Sequence, residues 1–215
     1  MKGKALILAL AAATALLLTA VATAALIKGD NGDNTLNGTP RADLIRAFAG
    51  NDTVNADAGR DVVRAGAGND NASGGDHADL LYGGVGMDTL SGDRGNDRIY
   101  GGSDDDGLSG GNGQDRLHGG RGNDTADGGE GNDWMWGGWG ADTLRGSDGN
   151  DRLHALAKDG QPDTLDCGPG EDRAYVRAAE KVTTTLVDCE KVFYLRVVRA
   201  GDDANENANA DDSAN

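Results

Sequence analysis

The sequence predicts an all-β solenoid of short stacked strands, and two observations carry that expectation. From Gly29 to His154 the chain reads as fourteen consecutive nine-residue rows without an insertion, for example GGRGNDTAD (119–127), GGEGNDWMW (128–136) and GGWGADTLR (137–145). Within a row, six Gly-rich residues precede three of the form x-apolar-x. Such a row is no helix, because Gly is unfavourable in a helix interior and the apolar spacing does not match a helical turn. It reads as a tight turn followed by a very short strand.

The register is strict. The first place is Gly or Ala in all fourteen rows, the fourth is Gly in eleven, and the eighth is apolar in all, from Leu36 to Leu153. The sixth is Asp in thirteen: Asp43, Asp52, Asp61, Asp70, Asp79, Asp88, Asp97, Asp106, Asp115, Asp124, Asp133, Asp142 and Asp151, with Asn34 in the first row. One row cannot bury its single apolar side chain, but stacked rows can, which is the logic of a solenoid. Turn carbonyls and Asp carboxylates are hard oxygen donors at high density. They suit calcium, which accepts six to eight oxygens in flexible geometry, better than zinc, which would want Cys or His.

The pattern GGxGxDx-apolar-x resembles the repeats-in-toxin (hemolysin-type) calcium-binding nonapeptide family, over 126 of 215 residues. The resemblance implies a parallel β-roll in which two rows make one turn of eighteen residues and calcium sits between rows i and i+2 on each side. Each sixth-place Asp would then supply carboxylate oxygens to the ions above and below. One side would carry Asp43, Asp61, Asp79, Asp97, Asp115, Asp133 and Asp151; the other would carry Asn34, Asp52, Asp70, Asp88, Asp106, Asp124 and Asp142. Roughly ten to twelve ions would fit if each pair of stacked turns held one. Arg41, His77 and Asp104 at the fourth place, and Phe48 and Asp57 at the second, depart from the motif. Rows 83–100 and 110–151 match it best.

Residues 1–24 open with Lys2 and Lys4, continue as an Ala/Leu run and reach Ala22-Thr23-Ala24. This is the pattern of a secretory signal cleaved after Ala24 or nearby. The alternative is an uncleaved anchor, since Ala5–Ile27 could span a bilayer; either places the rest outside the cytoplasm. Toxin members of the family usually lack such a leader, which argues against a toxin of that type.

Removing Lys2 and Lys4 takes the formal charge from −16 to −18, and the roll, expected over residues 25–154, sets ten Arg against twenty-two Asp and one Glu in its repeats. Such a chain with few aromatics has the composition of disorder, so calcium binding is expected to be the folding energy. The chain should fold where calcium is millimolar, as is typical of weak extracellular sites.

After His154 the phase slips by three residues and resumes with Asp163 and Asp172. VTTTLVDCEKVFYLRVV is rich in β-branched residues and reads as two or more strands. A roll exposes backbone at its end, so residues 155–200 are expected to form a C-terminal β cap. An even cysteine count in a secreted chain suggests that Cys167 and Cys189 are paired. The ending resembles the DxLDCGxGxD…CE motif of secreted bacterial calcium-binding repeat proteins. Residues 201–215 hold no apolar residue larger than Ala and read as a disordered acidic tail.

If the eighth place points in, the seventh and ninth point out. Successive rows lie on opposite sheets, so one face collects Thr35/Asn37, Thr53/Asn55, Asn71/Ser73, Thr89/Ser91, Gly107/Ser109, Thr125/Asp127 and Thr143/Arg145. The other collects Leu44/Arg46, Val62/Arg64, Leu80/Tyr82, Arg98/Tyr100, Arg116/His118, Trp134/Trp136 and Arg152/His154. Two readings stand for this second face. β propensity and charge compensation account for such residues; alternatively Arg98, Tyr100, Arg116, His118, Trp134, Trp136 and Arg152 form a ligand face that grips a cell-surface polysaccharide, in the manner of an adhesin, by guanidinium contacts and ring stacking. An ice-binding role for the hydroxyl face conflicts with Asn71 and Gly107 in its column. Trp139 falls in a turn, at the third place.

No enzyme is expected. His77, His118 and His154 sit in separated rows with no nucleophile offset of a triad. No GKS or GKT follows the Gly runs, and an acidic chain without a dense basic stripe does not suit nucleic acid. The expectation is a secreted, monomeric calcium-binding module that does not engage the membrane once its signal is cleaved. Folding on arrival in calcium-rich medium would also help pull the chain outward.

Overall fold

The computed structural model describes residues 24–156, 159–178 and 184–195. Residues 1–23, most of the segment expected to be a secretory signal, and the acidic residues 201–215 lie outside the described residues. One ten-stranded sheet comprises β1 (Leu26–Lys28), β3 (Leu44–Ala49), β5 (Val62–Ala67), β7 (Leu80–Val85), β9 (Arg98–Ser103), β11 (Arg116–Arg121), β13 (Trp134–Trp139), β15 (Arg152–Ala155), β17 (Arg173–Arg177) and β19 (Lys191–Leu195). A nine-stranded sheet comprises β2 (Thr35–Asn37), β4 (Thr53–Asn55), β6 (Asn71–Asp76), β8 (Thr89–Arg94), β10 (Gly107–Asn112), β12 (Thr125–Glu130), β14 (Thr143–Asp148), β16 (Thr164–Asp166) and β18 (Thr185–Val187). Neighbouring strands are parallel and, through the repeats, offset by one coil: Leu90 faces Leu108 and Leu117 faces Met135. This is a parallel β-solenoid of the β-roll kind.

The strands of the central coils are longer than the three residues the motif suggests. β9 runs from the seventh place of one row to the third place of the next, because the chain re-enters the ladder at the second place, where Gly102 faces Gly84 and Ser103 faces Val85. Only the first-place residue is skipped. For the same reason Trp139 does not lie in a turn: it ends β13 opposite Arg121 and is 56% exposed.

The core is two columns wide. Every eighth-place side chain from Ile45 to Leu153 is buried, and so are Ala47, Ala56 and Ala65 at the first place. Burying one to two small apolar groups per nine residues yields little hydrophobic energy at about 25 cal/mol per Å², so the coils depend on their ladders.

The rows that depart from the motif bend in different ways. His77 and Asp104 at the fourth place, and Phe48 and Asp57 at the second, take positive φ, as do Asp93 and Ser147 at the second. Asp and His tolerate this conformation, whereas Phe48 is strained. The row of Arg41 turns otherwise, with a short antiparallel bridge between Thr39 and Arg41.

Beyond His154 the same two sheets continue. The three-residue slip shows as a wider offset, Thr143 facing Thr164 and Arg152 facing Arg173; in the last coil the nine-stranded sheet keeps that offset, Thr164 facing Thr185, while the ten-stranded sheet returns to eighteen residues, Arg173 facing Lys191. Cys167 occupies a buried first place and is bonded to Cys189 in the last turn, 22 residues on. Reduction is expected to cost these coils about 3 kcal/mol, the loop-closure value for such a separation. Hydrogen exchange in the reduced protein should quicken at residues 163–195 and stay unchanged around Asp88–Asp133; uniform quickening would contradict a local clamp.

Candidate metal centre

Each turn closes on its sixth-place Asp, and each Asp is committed to the coils on both sides. Asp97 is representative. Its N–H donates to Oδ1 of Asp115 at 2.7 Å, its carbonyl accepts from Arg116 N–H at 2.9 Å, and its own Oδ1 accepts from Asp79 N–H at 2.7 Å. The bonds repeat every eighteen residues and build two carboxylate columns, one from Asp43 through Asp61, Asp79, Asp97, Asp115 and Asp133 to Asp151, the other from Asn34 through Asp52, Asp70, Asp88, Asp106 and Asp124 to Asp142. Every one of these Asp residues is 4% exposed or less.

Only Oδ1 is used. Oδ2 of every sixth-place Asp from Asp52 to Asp151, and of Asp172, is buried without a hydrogen-bond partner. A backbone carbonyl of the next coil borders the same spot: a Cβ placed on Gly83 would meet Asp88 Oδ2 at 2.2 Å and the Gly101 carbonyl oxygen at 2.7 Å. Burial pushes the carboxyls upward, to about 7 at Asp79, Asp97, Asp106, Asp133 and Asp142, with neighbouring Asp charges adding to the rise. Asp61, Asp88, Asp115, Asp124 and Asp151 are raised to about 6 by burial. Buried unpaired charge in columns is untenable unless a cation or a proton neutralises it.

The donor set fits a hard divalent cation. No three carboxylate, imidazole or thiolate side chains converge on one point among the described residues, so an ion here would rest on one or two carboxylates with backbone carbonyls completing the shell. That is an all-oxygen environment of the kind calcium accepts. When bound, calcium supplies the positive charge that lets successive carboxylates remain ionised beside one another.

A pH dependence follows. Asp in the unfolded chain titrates near 3.9, so carboxyls raised in the roll favour folding fully below that value and lose this contribution as pH rises through 6 to 7. In chelator, the chain should hold more β structure at pH 5 than at pH 8 by circular dichroism. Calcium affinity should change in the opposite sense and rise over the same interval, because the ion displaces protons. A chelated chain whose β content rises with pH would contradict the buried-carboxylate account.

Two positions differ from the rest. Asp43 Oδ2 accepts from the Thr39 N–H at 2.7 Å and from its hydroxyl at 2.9 Å; burial raises this carboxyl, but these bonds and one from Ala25 outweigh it and hold it below the usual range. Asn34 is engaged with Asp30. The ladders also extend past the fourteen rows. Asp142 N–H donates to Asp163 Oδ1 at 2.9 Å, Asp151 to Asp172 at 2.7 Å, and Asp172 to Glu190 Oε2 at 2.8 Å. Glu190 was findable by counting eighteen residues from Asp172. A fifth-place ladder carries no signal in the motif but holds the turns together: Asn123 N–H donates to Asp105 Oδ1 at 2.6 Å and Ala141 N–H to Asn123 Oδ1 at 2.9 Å.

The outer face of the ten-stranded sheet brings together Arg98, Tyr100, Arg116, His118, Trp134, Trp136 and Arg152 in two adjoining columns. The ninth-place column is a continuous stack, Tyr82–Tyr100–His118–Trp136–His154–Tyr175–Phe193, with centroids 5.1, 6.1, 6.3, 5.1, 4.5 and 5.1 Å apart. The faces of Tyr100, His118 and Trp136 therefore lie against other rings with their edges outward, whereas Trp134 stands beside the stack, tilted 54° to Trp136, with Arg116 and Arg152 over its ring. Burial lowers His118, and burial with the Arg152 charge takes His154 down to about 4, so both imidazoles are neutral in the stack.

A family model described as RTX calcium-binding nonapeptide repeat (4 copies) matches residues 28–63, 57–86, 83–117, 109–144 and 118–153. No curated protein matches the chain significantly.

Proposed function

This chain belongs to the RTX calcium-binding nonapeptide repeat family, and from that premise we propose that it is a secreted module that calcium folds, with Asp52 to Asp151 and Asp172 as the carboxylate ligands. The single observation that carries the reading is the run of buried, partnerless Oδ2 atoms along both columns. The leader-like residues 1–24 support export, and an acidic array of weak sites suits millimolar external calcium. The chain would stay unfolded inside the cell and close into a roll outside, which also favours outward movement. Structure and charge are the product, and the family's repeats are binding modules rather than catalytic ones.

Equilibrium dialysis of residues 25–215 with radioactive calcium tests this. Roughly ten or more ions per chain, the capacity of stacked turns holding one each, would support the assignment; one or two ions would overturn it.

A second role, adhesion to a surface polymer by the Arg and aromatic columns, is supported by the clustering of Arg98, Arg116 and Arg152 on one face of an acidic protein.

A further inference from the structure

We infer that the outer face of the ten-stranded sheet binds a single chain of an acidic polysaccharide, one bearing carboxylate or sulfate groups; this rests on the second role above and names its ligand class. Arg98, Arg116, Arg152 and Arg173 share the seventh-place column, on β9, β11, β15 and β17. On a protein of net charge −16, none of these four guanidiniums reaches a carboxylate among the described residues. The opposite face behaves differently, since Arg145 there lies 3.9 Å from Asp127 and 3.7 Å from Asp166. The chain thus pairs its arginines on one face and leaves a lane of them without acidic partners on the other.

The lane is preorganised. Trp134 carries Arg152 over its ring at 4.4 Å and Arg116 at 5.4 Å, a cation–π contact that steadies both guanidiniums. Alongside, the aromatic stack presents ring edges, the positive rim of the quadrupole, and so adds to the attraction for anions. On the other flank Gln114, Asn132 and Asn150 line a groove with Trp134, Arg152 and Arg173; the carboxylates Asp151 and Glu171 also line it, Glu171 lying 3.6 Å from Lys191 Nζ. From β9 to β17 the lane spans four strand steps, about 19 Å at ~4.8 Å each.

Three features select the ligand. Neutral sugars are gripped by exposed ring faces, and along the ninth-place column the faces from Tyr100 to Tyr175 lie against one another. The guanidinium fork matches carboxylate and sulfate geometry. The lane is one side chain wide and bordered by acidic turns, which admit a single polyanion strand and repel a duplex. Because the turn carboxylates repel any polyanion until a cation neutralises them, binding requires calcium as well as the lane.

The experiment measures retention of residues 25–215 in millimolar calcium on immobilised heparin and hyaluronate, with dextran as the neutral matrix. A triple variant (Arg98→Gln, Arg116→Gln, Arg152→Gln) and an opposite-face control (Arg145→Gln) are compared with the wild type, and circular dichroism reports folding in each. Salt-sensitive retention on the acidic matrices, weakened about tenfold or more in the triple variant and unchanged in the control, is the expected result for guanidinium pairing. Should the triple variant itself fail to fold, the single variant Arg98→Gln, remote from Trp134, is expected to weaken retention and Arg145→Gln is not. Equal retention of wild type and folded variants overturns the inference. So does binding to single-stranded RNA or anionic vesicles in place of both glycans. Retention on dextran overturns the acidic class but spares adhesion; folded protein retained on no matrix removes adhesion as well; wild type that does not fold in calcium removes all three readings.

Discussion

Replacing Asp133 by Ala will raise the calcium concentration needed to fold the roll by several-fold and reduce its cooperativity. Asp133 is fully buried, its Oδ1 accepts from Asp115 N–H at 2.8 Å, and its own N–H donates to Asp151 Oδ1 at 2.8 Å. Truncation strands the Asp115 N–H without an acceptor, which costs about 1–3 kcal/mol for a buried donor, and it removes the Oδ2 that lacks any other partner. Each ligand serves a stacked array in which neighbours stabilise one another, so the break is felt along the column. Asp127→Ala, the loss of an acid at the outward ninth place, removes the same charge without removing a buried Oδ2 of the column and should shift the calcium midpoint far less than Asp133→Ala. Equal shifts for the two variants, followed by circular dichroism, would mean that net charge rather than ligation governs folding.

Gly131→Ala should be worse still. Gly131 sits at φ +141° and a Cβ there would fall 1.4 Å from the Gly113 carbonyl oxygen. Neither backbone can retreat, because Gly131 N–H donates to Asp148 at 2.7 Å and Gly113 N–H to Glu130 at 2.7 Å. Gly113 and Gly149 make the same close approach to the coil before each, at 1.4 Å. A loss of about 3 kcal/mol or more is expected, from strain at a position where the fold dictates the conformation. Gly107→Ala serves as the control, since nothing lies nearer than 3.9 Å to its Cβ direction. Urea unfolding in saturating calcium separates the two; similar midpoints would contradict the close-packed turn.

The periodic parts of this fold were readable because each place of the row has one environment. The eighth place is buried, the seventh and ninth face out, and the sixth closes the turn, so an alternation rule and a count of nine located them. Less was readable where the physics lies between rows. That Gly102 and Ser103 rejoin the ladder depends on positive φ at the second place, which a Gly permits but does not announce. The stacked rings are the clearest case: Tyr100, His118 and Trp136 were placed on one face correctly, but their faces are turned along the roll axis by a single coil spacing, leaving edges outward. At the carboxyl end, Glu190 takes the role of Asp; the count of nine reaches it from Asp172, but a Glu in place of the motif's Asp does not announce that role.

The most direct test of the account is a circular dichroism titration of residues 25–215 with calcium and, separately, with magnesium, at neutral pH. A cooperative coil-to-β transition with calcium alone is the predicted result, because buried carboxylates set among backbone carbonyls suit the larger ion, with its flexible shell of six to eight oxygens. A chain that is already fully β in excess chelator would contradict it: the slender apolar core and the Cys167–Cys189 bond would then hold the roll, and the partnerless Asp oxygens would have no ion to serve.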